Sequence, residues 1–179
     1  METSVRDLKG RMTSDSGINR RTLLRGIGVG FVGWGGRDVV MTGTAPTLVE
    51  AFYERIWNQG DLNAAGELLA VDFKFRGSLG AELRGIPSFL EYVRSVREPL
   101  AGYRCDILES VAEGDRAFAK MQFGGRHVGV FRGYQPTGKS VQWLGAALFR
   151  FEAGRIADLW VLGDLASLEA MLKANAPVR

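Results

Sequence analysis

Apolar positions recur at helical spacing in four stretches of the chain and at strand spacing in five. Leu48, Ala51, Phe52, Arg55 and Ile56 fall on one helical face over Thr47–Asn58, and Gln59-Gly60-Asp61 stops that run. Asp61 then caps a short helix reaching Leu69, and Val71–Arg76 reads as a strand. Pro87, at a first helical turn, opens a third helix whose apolar face is Phe89, Leu90, Val93 and Val96, and Pro99 ends it. Strand-like segments follow at 103–112, 116–131, 141–152 and 155–163. Glu113-Gly114-Asp115, Pro136-Thr137-Gly138 and Ala153-Gly154 supply the turns. A last helix runs from Leu165 to Ala174. Three helices with one early strand, then a four-strand antiparallel meander, predict an α+β fold in which a curved sheet wraps a helix-covered cavity.

Two phosphate-binding consensus matches are contradicted by their surroundings. Gly133–Ser140 satisfies G-x-x-x-x-G-K-[ST], but Val141–Phe151 after it is aromatic, apolar and strand-like, where a phosphate cradle needs a helix. A hairpin connection is expected there instead. Gly28-Val29-Gly30-Phe31-Val32-Gly33 matches G-x-G-x-x-G without a preceding strand or a βαβ unit, so it reads as composition.

Charge separates the chain into two parts. Residues 1–45 carry seven Lys/Arg against four Asp/Glu, which is the whole net charge of +3, while residues 46–179 carry sixteen of each. A neutral domain offers no basic surface for nucleic acid. One Cys, Cys105, and one His, His127, exclude an internal disulfide and the usual zinc ligand sets, and no clustered carboxylates point to another metal. Cys105 reads as a small buried hydrophobe. In the 1–45 leader, Asn19-Arg20-Arg21-Thr22-Leu23-Leu24-Arg25 resembles a twin-arginine export signal. The apolar run after it, about 11 residues, is too short to span a bilayer. Export is one reading of the leader. The other is a disordered segment ahead of an alternative start at Met41, leaving the protein cytoplasmic. Residues 46–179 form the expected domain.

Strand parity nominates two titratable groups. Ile156, Asp158, Trp160, Leu162 and Asp164 alternate onto one face, which places the Asp164 carboxylate on the side of Trp160. A carboxyl among apolar and aromatic neighbours has a raised pKa and can carry a proton near neutrality. Asp164 before Leu165-Ala166-Ser167 is equally a good helix N-cap. His127 shares parity with Phe123 and Phe131 on an apolar face, as a hydrogen-bonded core group or as a site residue, and Arg126 points the other way.

Together, Arg126-His127-Val128-Gly129, Pro136-Thr137-Gly138-Lys139, Gly154-Arg155-Ile156, Trp160 and Asp164 resemble the C-terminal half of the SnoaL-like polyketide cyclases. Phe52–Leu62 and Leu83-Arg84-Gly85 resemble the N-terminal half. The resemblance spans about 46–173. It implies an NTF2-like (cystatin-like) α+β cone with an internal cavity, no cofactor, a hydrophobic oxygenated small molecule as substrate, and a homodimer or higher homo-oligomer. It also implies that Asp164 is the general acid/base of an intramolecular aldol closure and that His127 faces the cavity and orients substrate. Trp57, Phe75, Tyr92, Trp143 and Trp160 would form the walls. Trp57 and Tyr92 stand where such cyclases carry a tyrosine and an asparagine, and Arg76 where relatives often carry His, so the substrate is expected to differ from the anthracycline-type ester. Two rival readings remain open on sequence. One is an epoxide opening like that of limonene epoxide hydrolase, which needs an Asp–Arg–Asp relay. The other is a non-catalytic binding or dimerising module in which Asp164 only caps a helix.

Overall fold

The computed structural model describes residues 44–177 except Leu79 and Ala81, so the leader features proposed above lie outside the described residues. Helix α1 (Ala45–Ala51) takes Pro46 in its first turn, where a missing N–H is harmless, and so begins two residues earlier than the spacing predicts. It runs on as a wider π-helical segment, Phe52–Gln59, closed by the Gly60 N–H donating to the Arg55 carbonyl from a left-handed φ of 76°. The wider turn gathers Phe52, Tyr53, Ile56 and Trp57 onto one buried face. Arg55 fixes the turn from outside, pairing with Asp61 at 2.9 Å and Glu67 at 2.6 Å. Helices α3 (Ile86–Arg97) and α4 (Leu165–Asn175) follow the predicted positions, whereas α2 (Ala64–Leu68) is shorter than predicted, with Asn63 at its N-cap in place of Asp61, whose carboxylate pairs with Arg55.

The strands are β1 (Leu69–Arg76), β2 (Leu83–Arg84), β3 (Leu100–Glu113), β4 (Arg116–His127), β5 (Ser140–Glu152) and β6 (Arg155–Gly163). They form one curved, unclosed sheet in the order β2-β1-β6-β5-β4-β3. The meander β3–β6 is antiparallel as expected, and the sheet extends beyond it by β1, parallel to β6, and by the short β2. Between β4 and β5 the chain runs strand, turn, strand. Gly138 sits at φ 68° and its N–H donates to the His127 carbonyl at 2.8 Å, so the P-loop-like motif is part of a hairpin. Strand β4 stops at His127, four residues short of the predicted end, because the Val128 and Gly129 N–H groups both turn to the Pro99 carbonyl.

Rings from the helices and the sheet's inner face meet in the core. Phe52 lies 5.7 Å from Phe89 and 5.8 Å from Phe149, and all three are fully buried. Each such ring stabilises the fold by about 1.5–3 kcal/mol. The outer face of the sheet carries exposed Phe118, Leu144, Leu148 and Leu162. No described helix is long and apolar enough to cross a membrane.

Candidate active site

A cavity of about 220 Å³ opens between the inner face of the sheet and the helices. The π-helical segment contributes Trp57 to its wall, α3 contributes Tyr92, Ser95 and Val96, and α4 contributes Leu165 and Leu168. Tyr103, Phe123, Trp143 and Val161 come from β3, β4, β5 and β6, and Phe131 and Arg132 from the turn after β4. Ser78, just beyond β1, completes the lining. The rings contact one another: Trp57 lies 6.2 Å from Tyr92 and 5.7 Å from Tyr103, and Phe123 lies 5.7 Å from Trp143.

A cross-strand pair of glycines, Gly145 and Gly163, makes room for these groups. A Cβ on Gly145 would overlap the edge of the Phe123 ring. One on Gly163 would stand 2.9 Å from Ser78 Oγ and 3.2 Å from Trp143 Nε1. Gly77 likewise admits the Tyr92 hydroxyl, which would sit 2.6 Å from a Cβ there. The polar side chains among the lining residues are those of Ser78, Ser95, Tyr92, Tyr103 and Arg132, with the indoles of Trp57 and Trp143. Burial raises the Tyr92 phenol and pushes the Tyr103 phenol well above the ordinary value, so both stay protonated as donors. Burial also pushes up the Cys105 thiol, which makes it an inert packing group.

Of the sequence-predicted wall residues, the structure brings Trp57, Tyr92 and Trp143 together around the cavity. Phe75 is buried one layer back. The Tyr92 ring, 4.9 Å away, takes the lining position in front of it. Trp160 is a correction, because it stands 37% exposed on the outer face with the Arg76 guanidinium 5.6 Å over its ring. Register shifts in β6 against both neighbouring strands reverse the alternation, so Ile156 and Ala157 are both buried and every later even-numbered residue points out.

The same reversal decides the setting of Asp164. It shares the side of Trp160 as the parity predicts, but that side faces solvent, and Asp164 is exposed at the N-cap of α4. Its carboxylate accepts from the Ser167 N–H at 3.0 Å and the Ser167 hydroxyl at 2.6 Å. These bonds hold its pKa below the ordinary carboxylate value, the reverse of the predicted rise. Asp164 is not a lining residue, although the next residue, Leu165, is. His127 lies on the inner face as predicted and is fully buried, one ring behind the wall. Its ring meets Phe131 edge-on at 6.4 Å, Nδ1 lies 3.4 Å from Thr137 Oγ1, and Nε2 is buried without a partner.

Sequence reasoning missed Ser78, Ser95, Tyr103 and Arg132. The Tyr103 position was open to strand parity, since it alternates with the buried Cys105. Arg132 lies in a turn whose side-chain directions no period predicts.

The sequence model of the SnoaL-like polyketide cyclases matches residues 47–172. Solved structures share the fold. TsrD from Streptomyces laurentii is 29% identical, with a TM-score of 0.64 over 72% of this chain and 94% of its own. A protein of Jannaschia sp. CCS1, provisionally described as a SnoaL-like polyketide cyclase, is 19% identical, with a TM-score of 0.67 over 81% of this chain and 100% of its own. A Catenulispora acidiphila protein with a ketosteroid isomerase-like fold is 21% identical, with a TM-score of 0.62 over 75% of this chain and 96% of its own. Comparison with proteins of curated function gave no match. With the family's sequence pattern running through nearly all of the described domain, this chain belongs to the SnoaL-like polyketide cyclase family.

Proposed function

We propose that the protein is a cofactor-free cyclase or isomerase that moves a proton on a hydrophobic, oxygenated, polyketide-like small molecule. The observation that carries this reading is the cavity itself, walled by Trp57, Tyr92, Tyr103, Phe123 and Trp143 and holding only a few polar atoms. Such a wall binds a ring skeleton by burial, and the few donors select an oxygenated one. The protonated Tyr92 phenol would donate to a substrate carbonyl, and more strongly to the enolate oxygen formed when an adjacent C–H loses its proton. The enolate carbon then bonds to a second carbonyl carbon in a ring closure, whose oxygen, now an alkoxide, takes the proton back from the base, or the enolate takes that proton back at another carbon in an isomerisation.

Asp164 is the proposed base. Its carboxylate is ionised at neutral pH and it adjoins Leu165 of the wall. The Ser167 bonds that lower its pKa also weaken it as a base, so they must open and the side chain must turn from the solvent side for it to act. Substrate entry would exchange these bonds for contact with the substrate. His127 is assigned the support of Phe131 and of the turn beside it, because a ring stands between it and the cavity. The homodimer belongs to the same proposal and is supported by the exposed apolar row on the outer face.

The test is exchange of the α-protons of 2-tetralone with D2O, followed by NMR in the presence of a chelator. The wild type should accelerate exchange over buffer, and Asp164→Asn should lose the acceleration while melting at the same temperature. A wild-type rate equal to buffer would make the protein a binding module. Full activity in Asp164→Asn would remove Asp164 from the mechanism.

A further inference from the structure

Arg132 is the one charged side chain lining the cavity among the described residues. The chain holds it there in an unfavourable backbone conformation. Phe131 and Tyr134 exchange two backbone hydrogen bonds, of 3.1 and 2.9 Å, so the turn between them is the two residues Arg132 and Gly133. Both have positive φ, 52° and 85°, the pattern of a type I′ turn. Gly133 adopts it freely. The first position of such a turn prefers Asn, Asp or Gly, and a long side chain there carries strain. Strain retained at a cavity wall is evidence that the side chain is needed where it points.

The guanidinium is also incompletely used. Its Nη2 reaches Glu169 on α4 at 3.4 Å, a long contact to a carboxylate that is itself 55% exposed, whereas the Arg132 side chain is only 18% exposed. Nε is buried and has no partner. A buried donor without an acceptor costs stability, more so on a permanent cation. The Nε–H and a neighbouring Nη–H form the fork that matches the two oxygens of a carboxylate. The walls around it, Phe123, Phe131 and Trp143 among them, are aromatic, so the local dielectric is low and a charge-assisted bond there is strong.

We propose that Arg132 is the specificity-determining residue of the cavity and that the natural ligand carries a free carboxylate on its hydrophobic skeleton, paired with the guanidinium, whose Nε edge is out of solvent's reach in the empty cavity and turns toward the acid on binding. The inference rests on the small-molecule reading above and narrows it to acids rather than neutral esters or ketones. Glu169 holds Nη2 while the cavity is empty and gives way in part when the acid enters.

Calorimetric titration of the full-length protein with 2-naphthoate and with methyl 2-naphthoate separates the two ideas. The wild type should bind the acid roughly 10- to 100-fold more tightly than the ester, the range a hydrogen-bonded charge pair supplies. Arg132→Gln should erase that preference and leave the ester within about twofold of wild type, since a single neutral contact changes little. Arg132→Gly, which suits the positive φ and so folds even if the glutamine variant does not, should do the same. Glu169→Gln should tighten the acid alone, because a competing carboxylate is gone. Ester binding with no preference for the acid, or a preference that survives Arg132→Gly, overturns this inference and leaves the small-molecule reading standing. Failure of both probes to bind overturns that reading and this inference with it.

Discussion

Replacing Gly145 with alanine tests the packing on which the cavity depends. The added Cβ would overlap the Phe123 ring edge and stand 2.7 Å from the Leu162 carbonyl oxygen, closer than real Cβ atoms come. The ring can swing, but the carbonyl belongs to β6, which at Leu162 and Gly163 is paired with Ala146 and Gly145 of β5 and has little freedom to retreat. Overpacking that side chains absorb costs about 1–3 kcal/mol, and the backbone contact puts this case near the upper end. For a domain of this size about 3 kcal/mol lowers Tm by roughly 10 °C. Because Phe123 and Trp143 both line the cavity and touch, the displaced ring should also weaken binding of an aromatic probe. Differential scanning calorimetry and probe titration measure the two effects. Adding Phe123→Leu should recover part of the lost stability, because it relieves the ring contact and leaves the carbonyl contact in place. A Gly145→Ala protein that melts within a degree of wild type, with undiminished probe binding, would refute the seating of Phe123 over Gly145.

Further outcomes follow from the same geometry. His127→Phe should cost little stability or add some, since Nε2 is buried without a partner and an apolar ring removes that penalty of about 1–3 kcal/mol. A large destabilisation in thermal unfolding would show that Nε2 has an acceptor. The Asp164 cap contributes stability present above the unfolded-state pKa, near 4, and lost as pH falls through the lower folded value. Asp164→Asn should therefore flatten that part of the acid-unfolding curve, and an unchanged curve would mean that the Ser167 bonds are not formed. Lys139→Ala should leave nucleotide binding at background, because the segment is a hairpin; saturable ATP binding lost with this lysine would revive the P-loop. The twin-arginine proposal predicts that a reporter fused to residues 1–45 is exported only with Arg20-Arg21 intact, and retention of the intact fusion inside the cell would favour a cytoplasmic protein.

Where the chain's periodicity was regular, the fold was legible. The alternation through β3, β4 and β5, broken by Glu113-Gly114-Asp115 and Pro136-Thr137-Gly138, gave the meander, and Pro87 and Pro99 bracketed α3. Trp57, Tyr92 and Trp143 line the cavity as the family resemblance implies, while helical spacing alone singled out neither Trp57 nor Tyr92. Trp160 was misplaced because a register shift upstream inverts every later position, and in Ile156–Leu162 both parities carry apolar residues, so the sequence does not mark which face turns inward. The environment of Asp164 inherited that error, whereas its alternative reading as a cap rested only on local sequence and matches the bonds to Ser167. Arg132 was illegible for another reason. A positive φ at a non-glycine residue is set by the turn's closure between Phe131 and Tyr134, which composition does not encode.

We propose that proton transfer in this cavity needs no cofactor and begins with acceptance by Asp164. The pH–rate profile of α-proton exchange on 2-tetralone, measured on chelator-treated protein, addresses it most directly. With the Asp164 carboxyl held below its ordinary value, the base is ionised across the neutral range. The enzyme-dependent rate should therefore be flat from about pH 5 to pH 8 and fall only below the ordinary carboxylate value near 4, and Asp164→Asn should show no enzyme-dependent rate at any pH. A wild-type rate that climbs with pH in step with buffer, or a profile unchanged by Asp164→Asn, would rule out Asp164 as the base.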